Sequence, residues 1–139
     1  MTAGLGGGAG LEVGGSFAVL GALTHQRGPH RIVLRLLVMA DFYGFPDVSA
    51  ETDEVALLYG RSLAGSGSQS AILAGLSVVT VHGGPESDFV QRTTLGIPLV
   101  VEGLLRGKVT GVGLQAFANL NIEAPYAGLG LLLQVGWLP

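Results

Sequence analysis

Alternating side chains in residues 95–106 constrain the fold of this chain more than any other feature of its sequence. The odd-numbered positions (one parity) carry apolar residues: Leu95, Ile97, Leu99, Val101 and Leu105. Glycine, proline and charged residues dominate the even-numbered positions (the other parity): Gly96, Pro98, Glu102 and Arg106. Because successive side chains of a β-strand point to opposite faces, this pattern predicts a strand with one apolar and one polar face. Similar alternation recurs between most turns, yet only 12% of the residues are charged, against about 25% in soluble domains. The sequence therefore predicts a sheet whose apolar face is covered by something other than water.

The hydropathy of the chain indicates a membrane protein without a spanning helix. Hydrophobic residues make up 48% of the 139 positions, and the mean hydropathy is +0.55. No stretch offers the roughly 20 consecutive apolar residues that a spanning helix needs; residues 71–81 and 127–135 come nearest, and both contain glycine. Only helices and closed barrels satisfy their backbone hydrogen bonds in lipid. The membrane architecture left is a single transmembrane β-barrel domain, residues 1–139.

Composition excludes several function classes. The chain has no cysteine, which excludes disulfide scaffolds and thiolate metal sites. Its formal net charge of −3 gives no reason to expect nucleic acid as a partner. The first residues lack the charged and apolar regions of a secretion signal. Because an outer-membrane protein needs such a signal, we expect the sequence to be the mature form, with the signal peptide absent.

The chain divides into seven alternating segments with short connections. These segments are residues 4–25, 30–45, 54–64, 71–82, 89–106, 112–121 and 126–137. Short connections predict an antiparallel up-and-down meander. Bacterial single-chain barrels have an even number of strands, and a hairpin at Gly14 and Gly15 would divide the long first segment in two. We therefore expect eight strands, although a straight first strand separates the two parities more cleanly.

The charged residues sort between the two ends of this meander, because successive turns lie alternately at opposite ends. One end carries seven of the ten acidic residues as an acidic loop rim: Asp47, Glu51, Asp53, Glu54, Glu86, Asp88 and Glu123. The other end holds Arg27, Arg31, Arg106 and Lys108 and no acid. The acidic end also has the longer loops, as the extracellular rim of an outer-membrane barrel does, and the basic end has tight turns typical of the periplasmic side.

Placing the apolar parity outward predicts a polar network in the lumen. Its predicted members are Glu12, Arg35, Asp41, Tyr59, Arg61, Arg92, Glu102, Gln115, Asn119, Asn121 and Gln134. An eight-stranded barrel is just wide enough for side chains to fill it, so we expect paired charges and amides rather than an open path. The alternative is an ion or solute path lined by arginine and glutamate. Pro98 interrupts its strand, and we expect a β-bulge there.

The sequence offers little support for catalysis, metal binding or a cofactor. The glycine-rich residues 4–15 lack the Lys-Ser/Thr ending of a phosphate-binding loop. His25, His30 and His82 are scattered without metal-ligand spacing, and the acidic end has no histidine except His82 near its border. Loose binding of divalent cations by the acidic rim is an alternative to a solvated negative rim. We predict that the protein is not an enzyme and has no metal or cofactor.

By these patterns the chain resembles the small bacterial outer-membrane β-barrels of the OmpA/OmpX-like class. Its final strand alternates up to Trp137, with Leu138 and Pro139 following, and looks like the C-terminal signal read by the barrel-assembly machinery. Residues 57–61 and 117–121 are similar to short barrel proteins of Bacteroidota-like bacteria. The resemblance implies a location in the bacterial outer membrane and a passage through that machinery, and it carries over no functional residue.

Three functions are compatible with this sequence. The main expectation is a non-enzymatic outer-membrane barrel with an envelope structural, adhesion or anchoring role, whose partners are the bilayer and either an envelope protein or further copies of itself. The first alternative is a narrow, oligomeric or monomeric, outer-membrane pore or transporter. The second is a soluble β-barrel that binds a lipophilic ligand with its apolar face inward. The shortage of charge to coat a soluble exterior argues against the second alternative.

Overall fold

A computed structural model describes residues 16–41, 51–83 and 90–135 of the chain. They form seven strands: β1 (Ser16–Arg27), β2 (His30–Asp41), β3 (Glu51–Ala64), β4 (Ser68–Gly83), β5 (Val90–Arg106), β6 (Thr110–Asn121) and β7 (Tyr126–Val135). Each strand pairs antiparallel with the next, in the sheet order β1-β2-β3-β4-β5-β6-β7. The predicted all-β up-and-down meander is confirmed. Residues 1–15, where an eighth strand was predicted, lie outside the described residues.

Tight turns join the strands at one end of the sheet. The β1–β2, β3–β4 and β5–β6 connections each contain two or three residues. Gly65 donates its backbone N–H to the Ser68 carbonyl over 2.8 Å, and Gly107 donates to the Thr110 carbonyl over 2.6 Å. Turns of this length fix the strand register, so each face of the sheet takes even-numbered residues from one strand and odd-numbered residues from the next.

The sheet curls into a half-barrel. Neighbouring strands lie about 4.8 Å apart, so in a flat sheet β3 and β7 would be separated by roughly 19 Å. Nevertheless, Tyr126 on β7 donates a hydrogen bond to Glu54 on β3. Arg31 on β2 likewise reaches Glu102 on β5 over 2.6 Å. The concave face is therefore an interior in which side chains from non-neighbouring strands meet, and the convex face is the outside.

Two glycines allow β3 and β4 to approach each other closely. A Cβ added to Gly60 would overlap the carbonyl oxygen of Ile72, and a Cβ on Gly75 would overlap that of Leu57. Glycine in a strand interior often marks a bend or a close backbone approach. The coiling of this strand pair therefore depends on the missing side chains at Gly60 and Gly75.

The β-bulge predicted at Pro98 is wrong. Ala74 pairs with Leu99 and Ser77 pairs with Gly96, so the β4–β5 register is the same on both sides of the proline, with no extra residue. The described ladder has no pairs between these positions, because proline has no N–H to donate. On its other side Pro98 pairs with Asn119. The sheet thus accommodates the proline by losing local pairing rather than by shifting register.

Candidate functional site

A buried carboxylate organises the centre of the concave face. Glu54 on β3 is 1% exposed. Its Oε1 accepts hydrogen bonds from Arg35 Nε over 2.9 Å and from Arg35 Nη2 over 2.5 Å. Its Oε2 accepts hydrogen bonds from the Asn119 amide and the Tyr126 hydroxyl. Burial of an unpaired carboxylate is very costly, and here an arginine and two neutral donors satisfy both oxygens.

Further contacts extend this network across the interior. The Asn119 amide also donates to Ser77 Oγ over 2.7 Å. A Cβ on Gly96 would overlap the Asn119 side chain, so the glycine leaves the space that this amide occupies. The Arg35 guanidinium lies 5.8 Å from the centroid of the Phe117 ring, within the range of a cation–π interaction. The network thus links β2, β3, β4, β6 and β7.

A second buried ion pair lies nearer the tight-turn end. Arg31 Nη1 and Glu102 Oε2 are 2.6 Å apart, and their side chains are only 5% and 7% exposed. A cavity of about 20 Å³ adjoins this pair and is also lined by Gln115 and Gln134. That volume holds about one water molecule. At the level of these two ion pairs, side chains fill the interior formed by the described strands.

Amides continue the interior toward the tight turns. Gln69 on β4 donates to Gln26 Oε1 on β1 over 2.7 Å, and Arg106 donates to Gln69 Oε1 over 3.5 Å. Gln69 is buried on the concave face. Polar contacts therefore extend through the interior from the level of Glu54 to the tight turns, beside buried apolar side chains such as Leu58 and Leu73.

Five of the residues predicted in the lumen are buried on the concave face: Arg35, Glu102, Gln115, Asn119 and Gln134. Asn121 is partly buried and donates to the Ala124 carbonyl over 2.9 Å. Glu12 and the side chain of Asp41 lie outside the described residues. Sequence reasoning did not place Arg31, Glu54, Ser77 or Tyr126 in the network, although Arg31 shares the parity of Arg35 along β2.

Three of the predicted lumen residues lie elsewhere, and their placement in the lumen is wrong. Tyr59 and Arg61 are exposed on the convex face, because the concave parity of β3 belongs to Glu54, Ala56 and Leu58. Arg92 has the concave parity of β5 but lies toward the end of the strand. Its side chain is 66% exposed and forms an ion pair with Glu123 over 3.1 Å.

The acidic rim differs from its prediction at Glu54, which is buried in the interior because β3 begins three residues earlier, at Glu51. Glu51 and Glu123 are exposed, and Asp53 Oδ2 lies 3.7 Å from His82 Nδ1. Asp47, Glu86 and Asp88 lie outside the described residues. Within the described ranges, no group of three histidines or acidic residues could hold a metal ion.

The convex face is apolar over most of its area. Its exposed large side chains on β4, β5 and β7 include Ile72, Leu76, Val78, Leu95, Ile97, Leu99, Val101, Leu105, Leu129, Leu131, Leu133 and Val135. On β5 this apolar surface runs from residue 95 to residue 105, which matches the roughly 9–11 residues that a transmembrane strand needs. Polar side chains on this face lie nearer the strand ends, among them Arg61, Thr80 and Gln91.

Comparisons with protein-family models, with curated proteins and with solved structures found no match for this chain. In the part of the chain that the structure describes, no helix is long and apolar enough to span a membrane.

Proposed function

We propose that this chain is a non-enzymatic integral outer-membrane β-barrel whose filled interior supports an envelope structural, adhesion or anchoring role. One observation carries the proposal: the concave face buries two ion pairs, whereas the convex face exposes large apolar side chains along most strands. Arg35 is 2% exposed and Glu102 is 7% exposed, whereas Leu95 is 78% and Leu131 is 61% exposed.

Lipid is the environment that suits this inverted arrangement. Soluble monomers rarely expose contiguous apolar patches larger than a few hundred Å², and here the apolar surface extends over neighbouring strands of the convex face. In a bilayer the same side chains contact acyl chains at no cost. A soluble barrel with a lipophilic ligand inside would need this parity to point inward. The exposure of Ile97, Leu99 and Leu133 does not fit that alternative.

Closure of the half-barrel by an eighth strand is part of the proposal. Among the described strands, β1 pairs only with β2, and β7 pairs only with β6. Open sheet edges do not occur in contact with the hydrocarbon of a bilayer. The residues before Ser16 supply enough chain for one more strand, and an even strand number places both termini at the periplasmic, tight-turn end.

The contacts in the interior favour a structural role over conduction. Arg35 and Glu54 meet in the centre of the concave face, with Phe117 and Tyr126 packed against them. A pore needs a continuous wet path, and these side chains occupy that position. We expect no stable unit conductance from the purified monomer in planar bilayers. A stable unit conductance would favour the pore instead.

The proposal is tested by refolding the chain with and without detergent micelles. We expect a monomer that stays soluble only with detergent or lipid, and that migrates differently on a denaturing gel before and after boiling, as closed barrels do. A monodisperse monomer in plain buffer would refute the membrane assignment. A water-soluble oligomer would show that further copies of the chain, not lipid, cover the convex face.

A further inference from the structure

Arg61 lies on the convex face among apolar side chains. Its register partners are His30 on β2 and Ile72 on β4, and Leu63 follows it on the same face. Ile72 is 70% exposed and Leu63 is 78% exposed. No ion pair joins Arg61 to a carboxylate of the described residues. The guanidinium therefore sits at the edge of the apolar surface without an anionic partner from those strands.

A histidine and a tyrosine lie beside this arginine. His30 Nδ1 and the Tyr59 hydroxyl are 2.6 Å apart, and the two rings stack with centroids 6.1 Å apart and planes 19° apart. If the hydroxyl donates to Nδ1, the Nε2–H of His30 remains free. If Nδ1–H donates, the hydroxyl proton remains free. In either tautomer of neutral histidine, the pair keeps one hydrogen-bond donor for an external acceptor.

We propose that Arg61, together with the His30–Tyr59 pair, binds the phosphate of an anionic phospholipid. This inference rests on the proposed membrane location. The planar guanidinium carries five N–H donors and binds phosphate oxygens in a bidentate manner. Tyrosine is enriched where a bilayer meets water, and arginine on the lipid face costs little only near that boundary. The site lies a few residues from the β1–β2 and β3–β4 turns, which places it at the headgroup level.

The surroundings select a lipid rather than free phosphate. Ile72 pairs with Arg61 across the β3–β4 ladder, and Leu57 lies on the same face on the side away from the turns. Both offer a surface for the acyl chains that leave the headgroup. The exposed charges of the described tight turns, Arg27 and Lys108, are also positive. Both raise the local concentration of anionic lipid. Arg27 is paired with His30 in the β1–β2 ladder and so borders the site, whereas Lys108 in the β5–β6 turn has no hydrogen-bonded aromatic pair beside it in the described contacts. Diffuse attraction and a defined site therefore predict different responses to substitution.

The test compares the stability of refolded protein in vesicles of phosphatidylcholine alone and of phosphatidylcholine mixed with phosphatidylglycerol. The wild-type protein should gain stability in the mixed vesicles. Arg61→Gln should reduce the lipid-dependent increase in the folding equilibrium constant by clearly more than about fivefold, which is the effect of one basic residue near an anionic surface, because it removes hydrogen bonds to the phosphate as well as a charge. Tyr59→Phe removes the hydroxyl alone and should reduce the increase by a smaller factor.

Lys108→Gln is the matched control, because it removes the same charge at the same end of the sheet. Equal losses for Arg61→Gln and Lys108→Gln would show diffuse attraction and overturn the site. An equal gain on adding inorganic phosphate to detergent-refolded protein would show that the acyl chains do not matter, and would overturn the assignment to lipid. A wild-type chain that inserts into neither vesicle would refute the proposed function itself, whereas insertion without a specific Arg61 effect refutes only the site.

Discussion

Replacement of Glu54 should destabilise the protein more than replacement of any exposed acid. Glu54→Leu removes the acceptor of two hydrogen bonds from Arg35 and leaves that guanidinium, 2% exposed, without a counter-ion. Breaking a buried pair in this way costs about 3–5 kcal/mol, roughly a hundredfold to several thousandfold in the folding equilibrium constant. Asn119 and Tyr126 also lose their shared acceptor, so the upper part of this range is expected.

The assay is equilibrium urea unfolding of detergent- or vesicle-refolded protein, followed by circular dichroism and by the heat-dependent gel shift. Glu123→Leu is the matched control. Its carboxylate pairs with Arg92, whose side chain is 66% exposed, and an exposed pair of this kind contributes about 0–1 kcal/mol.

A second substitution separates loss of the ion pair from loss of packing. Adding Arg35→Met to Glu54→Leu removes the stranded charge, and apolar replacement of a whole buried pair is often neutral or stabilising. The double variant should therefore be more stable than Glu54→Leu alone. If Glu54→Leu costs no more than Glu123→Leu, or if Arg35→Met adds its full cost to that of Glu54→Leu, the described coupling between the two residues is wrong.

Two further predictions concern the sheet itself. Gly75→Ala should lower the free energy of unfolding by at least about 1–3 kcal/mol, because the added Cβ would meet the β3 backbone. Gly103→Ala is the control and should have little effect, since the space around Gly103 is open. Equal unfolding midpoints for the two variants would contradict the close approach. Leu99→Arg, near the middle of β5 on the convex face, should lower the free energy of unfolding in vesicles by about 2–4 kcal/mol. Leu63→Arg, near the turns, should lower it by about 0–1 kcal/mol. Equal losses would show that depth in a bilayer does not determine the cost of a charge on this face.

Alternation predicted the strands and the face assignment of most of the chain, and it failed where both faces of a strand are apolar. On β5, Leu95 to Leu105 contrast with Glu102 and Gly96, and the structure places the two parities as expected. On β3, Leu57 and Leu58 are adjacent and both apolar, so the interior face was predicted from the polar side chains of Tyr59 and Arg61. The register contradicts it: Ala56 pairs with Arg35 and so shares its concave face.

The central network depends on information that a sequence pattern does not contain. Glu54 contacts residues 19, 65 and 72 positions away along the chain. Its bonds with Asn119 and Tyr126 require the sheet to curl, and the curl depends on close approaches such as the one at Gly75. The boundary of β3 matters as well. A strand assigned from residue 54 leaves Glu54 at the rim, whereas a strand that begins at Glu51 carries the same residue into the interior.

The pairing of the buried charges also bears on the orientation of the molecule in the proposed membrane location. Arg35 with Glu54 and Arg31 with Glu102 each sum to zero formal charge, so these two buried pairs add no net charge to the interior. The exposed charges of the described residues differ between the two ends: Arg27, Arg61 and Lys108 lie near the tight turns, whereas Glu51 and Glu123 lie at the opposite end together with one arginine, Arg92. In the proposed membrane location, these exposed charges determine the orientation. Substitutions that unbalance an interior pair should therefore change stability and leave orientation unchanged. Reversal of the exposed charges at the two ends should change the orientation and leave the stability unchanged.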